Sequence, residues 1–182
     1  MAANTLGVFE YQALTSADFQ TVIMSEDSSG RSQASGWKAD ELDTKALGKE
    51  AIETNLRGRN PRKIEPDDCT VVFEHDATED FISSLNFYGI GAQSVAEGRS
   101  WMVDRIGKQV MSPSVSVWDD GLDVNAAPLP FDFEGVPTQR VDIVRQGVVM
   151  GPVYDRYTGA KMDKPSTGHT PRSNSAVLVP WL

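Results

Sequence analysis

Cysteine is almost missing from this chain. One residue in 182, Cys69, carries a thiol, which excludes an intramolecular disulfide and fits a reducing compartment. Long apolar runs are missing too. Asp, Glu, Gly or Pro cuts every hydrophobic stretch within a few residues, far short of the roughly 20 residues a membrane-spanning helix requires. The opening residues Met1-Ala2-Ala3-Asn4 hold neither the basic cluster nor the apolar core of a signal peptide. The expected compartment is therefore the cytoplasm. Basic residues are outnumbered, 17 Lys and Arg against 26 Asp and Glu, for a net charge of −9. Such a chain is repelled by a phosphate backbone or an anionic lipid surface, so neither nucleic acid nor membrane is an expected direct partner. There is no like-charge tail, no low-complexity tract and no internal repeat.

What is present is an ordinary folded composition, 40% hydrophobic and 24% charged, long enough for one sizeable domain or two small ones. Residues 6–39 read as a β meander. Val8, Phe9 and Tyr11 sit in one run, Phe19 to Met24 alternates with β-branched residues, and Gly30 to Ala39 reads as an edge strand. Asp43 is the expected N-cap of a helix carrying Leu47, Ala51, Ile52 and Leu56, with Gly58 as its terminal glycine. Cys69 to Phe73 reads as a buried strand running into a second helix, Asp76 to Leu85. Ser94 is the expected cap of a short helix, and Ser114 to Trp118 reads as a strand. Ala126 to Pro130 is expected to be extended. Val141 to Arg145 and Val148 to Tyr154 are expected to pair around Gln146-Gly147, with Asp155 to Met162 a short helix and Pro165 to Ser175 a polar loop. The absence of βαβα alternation points to an α+β fold with mainly antiparallel strands. The strand-like start and the apolar finish, Ala176 to Leu182, suggest a fragment of a longer polypeptide or half of an intimate assembly.

Several blocks recur in a particular order. They are Asp68 to Leu85, Glu97-Gly98-Arg99-Ser100-Trp101, Arg105 to Pro113, Phe133 to Arg140, Tyr154 to Thr158, and Ser166-Thr167-Gly168. Each is weak alone, but the series over residues 68–169 resembles the C-terminal domain of the TldD/PmbA family, the modulators of DNA gyrase and U62-like metallopeptidases. The resemblance implies an antiparallel, barrel-like α+β domain with a few short helices. It divides the chain into a strand-rich lead-in with one helix, residues 1–67, and a truncated C-terminal domain, residues 68–182. It further implies a zinc-dependent peptidase acting on peptides or unfolded protein, in a homo- or hetero-oligomer with a homologue of the same family.

The family's catalytic members carry His-Glu-x-x-x-His on the helix after the buried strand, where the histidines bind zinc and the glutamate activates water. The matching positions here read His75-Asp76-Ala77-Thr78-Glu79-Asp80. The resemblance makes His75 and Asp80 metal ligands and Asp76 the catalytic carboxylate. Asp76 is one methylene shorter than glutamate, and Asp80 replaces an imidazole. Positions i and i+5 on a regular helix diverge by about 140°, so one ion reaches both only where the helix begins or distorts. Two readings stand beside each other: a His/Asp metal site, or an acidic first turn that caps a helix and suits its dipole. The second makes the chain a non-catalytic scaffold subunit of a TldD/PmbA-type protease complex with a degraded metal motif.

Other clusters have plainer readings. Asp119 to Asp123 lacks the register of a calcium loop and reads as a solvated turn. Ser166 to His169 reads as a turn rather than a triad, because triads are assembled by the fold. Arg99, Asp104 and Arg105 read as surface ion pairs. Gly89-x-Gly91 lacks the strand and third glycine of a nucleotide loop. Trp101, Trp118 and Trp181 read as core or interface.

Overall fold

The computed structural model describes residues 1–123 and 128–170. The strands are β1 (Ala2–Ala3), β2 (Phe9–Glu10), β3 (Ala17–Met24), β4 (Ser29–Gly36), β5 (Val117–Asp119), β6 (Val141–Arg145) and β7 (Val148–Val149). The helices are α1 (Thr44–Arg57), α2 (His75–Phe87), α3 (Ala92–Ala96) and α4 (Arg156–Lys161). The strands pair antiparallel in three separate sheets, β1-β2, β3-β4 and β5-β6-β7. The fold is therefore α+β, without a closed barrel among the described residues. No described helix is long and apolar enough to cross a membrane. The apolar run 176–182 with Trp181, and part of the stretch 126–130, lie outside the described residues.

The chain divides into two compact units, one of Leu14–Asp76 and one of Met1–Ala13 with the residues from Ala77 onward. In the first, β3 and β4 pair in register from Ala17↔Gly36 to Met24↔Ser29. Phe19, Thr21 and Ile23 are half-buried and alternate with exposed neighbours, as a strand with one covered face should. Helix α1 packs on this ribbon. Asp43 caps it as expected, its Oδ1 accepting from the Ala46 amide at 2.9 Å. Gly58 closes the helix at φ −79, an ordinary right-handed value. A Cβ there would meet the Ser28 hydroxyl, which donates to Asn55 O at 2.8 Å and would have to turn aside. The buried Asn55 amide donates to Ile23 O (3.3 Å), Ser25 Oγ (3.2 Å) and Ser28 O (2.9 Å), tying the helix to the β3–β4 turn.

The expected strand at Cys69 to Phe73 does not form. Residues 61–74 have no regular structure, and Val71, Val72 and Phe73 are 59%, 88% and 52% exposed. An apolar run specifies a strand only where a neighbour offers its ladder, and no described strand does so here. The first strand expected near Val8 to Tyr11 shrinks to Phe9–Glu10, and Ser94 lies inside α3, whose N-cap is Gly91.

In the other unit the core gathers Ile90, Met102, Ile143, Val144, Val149 and Val153, with Val95, Trp101 and Val117 against it. The β6–β7 hairpin turns through Gln146 (φ 48) and Gly147 (φ 80), two left-handed residues that match the twist of the strands. β7 is shorter than expected, because Pro152 has no amide hydrogen to donate to a ladder. Asp155 caps α4, accepting from the Thr158 amide at 2.6 Å.

Candidate functional site

Helix α2 opens on His75, where the sequence motif requires a helix to begin. The imidazole is 77% exposed, and its Nε2 lies 3.2 Å from Asp76 Oδ1. Asp80 follows further along the same helix, its carbonyl accepting from the Ser84 hydroxyl at 2.8 Å. The boundary between the two compact units falls after Asp76. Among the described residues no three His, Cys, Asp or Glu side chains converge as a metal site. A catalytic zinc takes three protein ligands, so the described residues do not by themselves fit that ion.

The later half of α2 borders a different feature. Ile82, Leu85 and Asn86, with Trp101, Val117, Trp118, Ile143 and Val144, line a small hollow that opens to solvent. Among the described residues, Asp119 is its one ionisable lining residue. The Trp101 indole N–H is fixed by donation to Leu85 O at 3.0 Å. Arg140 stacks over Trp118 at 4.7 Å and is held by Asp120 (3.8 Å) and Asp142 (3.7 Å). Asp142 is also bound by Arg145; that hydrogen bond, aided by both guanidinium charges, holds its carboxyl below the usual range.

Behind Asp119 lies a residue whose role the sequence did not reveal. The His169 side chain is 2% exposed. Its Nε2 meets Asp119 Oδ1 at 3.2 Å, and its Nδ1 meets Thr167 Oγ1 at 2.9 Å. The Ser166–His169 stretch is indeed a turn, with the Gly168 amide donating to Ser166 Oγ at 3.2 Å. The Asp119 partner sits 50 residues away in the chain, beyond any local motif. Thr167 Oγ1 also accepts from the Tyr154 amide at 2.8 Å, so the hydroxyl serves as a structural tie.

Asp132 organises the neighbouring loop. Its Oδ1 accepts from the Glu134 and Val136 amides, both at 2.9 Å, and its Oδ2 from the Thr170 amide at 3.0 Å. Glu134 Oε2 accepts from the Arg156 amide (2.9 Å) and the Thr170 hydroxyl (2.7 Å). Asp132 and Glu134 thus tie the loop around the Gly-x-Pro block to the start of α4 and to Thr170 after the Ser-Thr-Gly turn.

Small antiparallel sheets, short capped helices and carboxylate-tied loops make up an α+β domain. Residues 66–180 match the PmbA/TldA metallopeptidase C-terminal domain. The chain belongs to the PmbA/TldD family. It is 33% identical over 137 residues to the Metalloprotease PmbA homolog of Haemophilus influenzae, covering 75% of this chain and 30% of that protein. It is 27% identical over 124 residues to Metalloprotease PmbA of Escherichia coli O157:H7, covering 68% of this chain and 27% of that one. The chain thus spans less than a third of the length of these relatives. The fold is also that of the Thermotoga maritima protein TM0727, with a TM-score of 0.79 at 22% identity over 88% of this chain and 38% of that one. TldE from Thermococcus kodakarensis superposes with a TM-score of 0.68 at 18% identity, covering 91% of this chain and 39% of that one.

Proposed function

We propose that this chain is the C-terminal domain portion of a metal-dependent peptidase of the PmbA/TldD type, acting on peptides or unfolded protein in the cytoplasm. The observation that carries the reading is the family match across residues 66–180, supported by 33% identity to a relative named a metalloprotease. Residues 1–67 serve as the lead-in to that domain. His75 and Asp80 are the proposed metal donors, and Asp76 the proposed catalytic carboxylate. The helix beginning at His75 is consistent with these roles. A zinc ion there needs a further ligand from beyond the described residues. The likeness to TldE supports assembly with a homologue of the same family.

The test measures metal content and peptide hydrolysis on the polypeptide that carries this chain, alone and with a co-expressed family homologue. Stoichiometric zinc, and hydrolysis that a chelator stops and zinc restores, is the expected result. His75→Ala should remove both. Unchanged zinc and activity in that variant would take His75 out of the site.

A further inference from the structure

The hollow beside α2 is not explained by the metal motif. Its walls are mainly apolar, Ile82, Leu85, Ile143 and Val144 with Trp101, and the polar lining is Asn86 and one carboxylate, Asp119. The geometry points to a binding site for an aliphatic primary ammonium, the free amino terminus of a peptide whose first side chain is aliphatic.

The apolar walls accept an aliphatic side chain. The charge specifies the rest. A carboxylate at an apolar wall favours a cationic hydrogen-bond donor over a neutral or anionic ligand. His169 holds Asp119 by Oδ1, which fixes the carboxylate and leaves Oδ2 for a second donor. Arg140 is engaged by Asp120, Asp142 and the Trp118 ring. Trp101 is fixed by its bond to Leu85 O, so the wall is formed before any ligand arrives. The natural occupant, though not the pocket, rests on the peptide-substrate reading above.

Trp101 and Trp118 line the hollow, so indole emission reports its occupancy. The probes are leucinamide and N-acetyl-leucinamide; acetylation removes the ammonium and adds an acetyl group, and Asp119→Asn separates the loss of charge from the added bulk. Leucinamide should change the emission saturably, and acetylation should weaken binding at least about tenfold. Asp119→Asn should erase the preference between the two. Ile82→Phe, which fills the space without touching Asp119, should abolish the response to both. Equal binding of the two probes by the unsubstituted protein would overturn the assignment, as would no saturable response. Self-association of the chain that Ile82→Phe abolishes would also overturn it, by giving the hollow to a second copy. Hydrolysis is not read in any arm, so failure of the peptidase reading leaves the binding result intact.

Discussion

Gly30 of β4 lies directly against the backbone of Ala51 in α1, so closely that a Cβ at position 30 would overlap the Ala51 carbonyl oxygen. Ala51 is fully buried. Two small residues let the helix seat on a two-stranded ribbon that would be marginal alone. Gly30→Ala should force the helix away and destabilise the chain by about 1–3 kcal/mol. Gly48, inside α1, faces open space. Gly48→Ala should stabilise by about 0.8–1 kcal/mol, the difference in helix propensity. Thermal melts of the two variants should therefore move in opposite directions; a shared direction would refute the packing argument.

Asp132 is 2% exposed and accepts three backbone amides. Removing the carboxylate leaves those donors without it in a part-buried loop. Asp132→Ala should cost about 2–4 kcal/mol, since hydrogen bonds to a charged group are stronger than neutral ones and orphaned donors add a penalty. Hydrogen exchange at the Glu134, Val136 and Thr170 amides should accelerate more than exchange in the β6 strand. Uniform acceleration would mean the residue acts on global stability alone.

The ease of reading this chain from its sequence tracked how local each feature is. The cap at Asp43 is visible because cap and amide lie three residues apart; Asp155, expected as the first helical residue, is likewise a cap. The β6–β7 hairpin is visible because Gln146-Gly147 carries its own turn chemistry. Cys69 to Phe73 misled because its composition is strand-like, while the missing ingredient, a neighbouring ladder, is not written in the segment. The Asp119–His169 contact was illegible for the converse reason: it joins two polar residues that mean nothing until the fold brings them together. The α2 hollow was equally hidden, since its lining comes from four separated stretches. The motif at His75 to Asp80 could be located, because it is short and opens a helix.

Asp142 provides a pH test. Its carboxyl titrates below the usual range, chiefly through the hydrogen bond from Arg145 and then through the guanidinium charges of Arg145 and Arg140. A depressed folded-state value means the pair stabilises the fold above the ordinary carboxylate range, and that the contribution is lost as pH falls through the depressed value. Arg145→Gln should raise the Asp142 pKa toward the ordinary value and flatten the acid limb of stability at Asp142. Carboxyl-carbon NMR titration measures the first effect directly. An unmoved Asp142 titration in that variant would assign the depression to Arg140 instead.

His169 and Asp119 join the Ser-Thr-Gly turn to β5, and the imidazole is the more buried partner. His169→Ala removes a buried ring and leaves Asp119 Oδ1 and Thr167 Oγ1 without it, at a cost of about 2–4 kcal/mol. Asp119→Ala should cost less, because its side chain is 24% exposed and water replaces part of what is lost. The two substitutions share one contact, so their effects should not add. A double-mutant cycle in denaturant should give a coupling of about 0.5–3 kcal/mol. Coupling near zero would mean that the turn is held by Thr167 and Tyr154 alone, and that Asp119 is oriented by β5 rather than by His169.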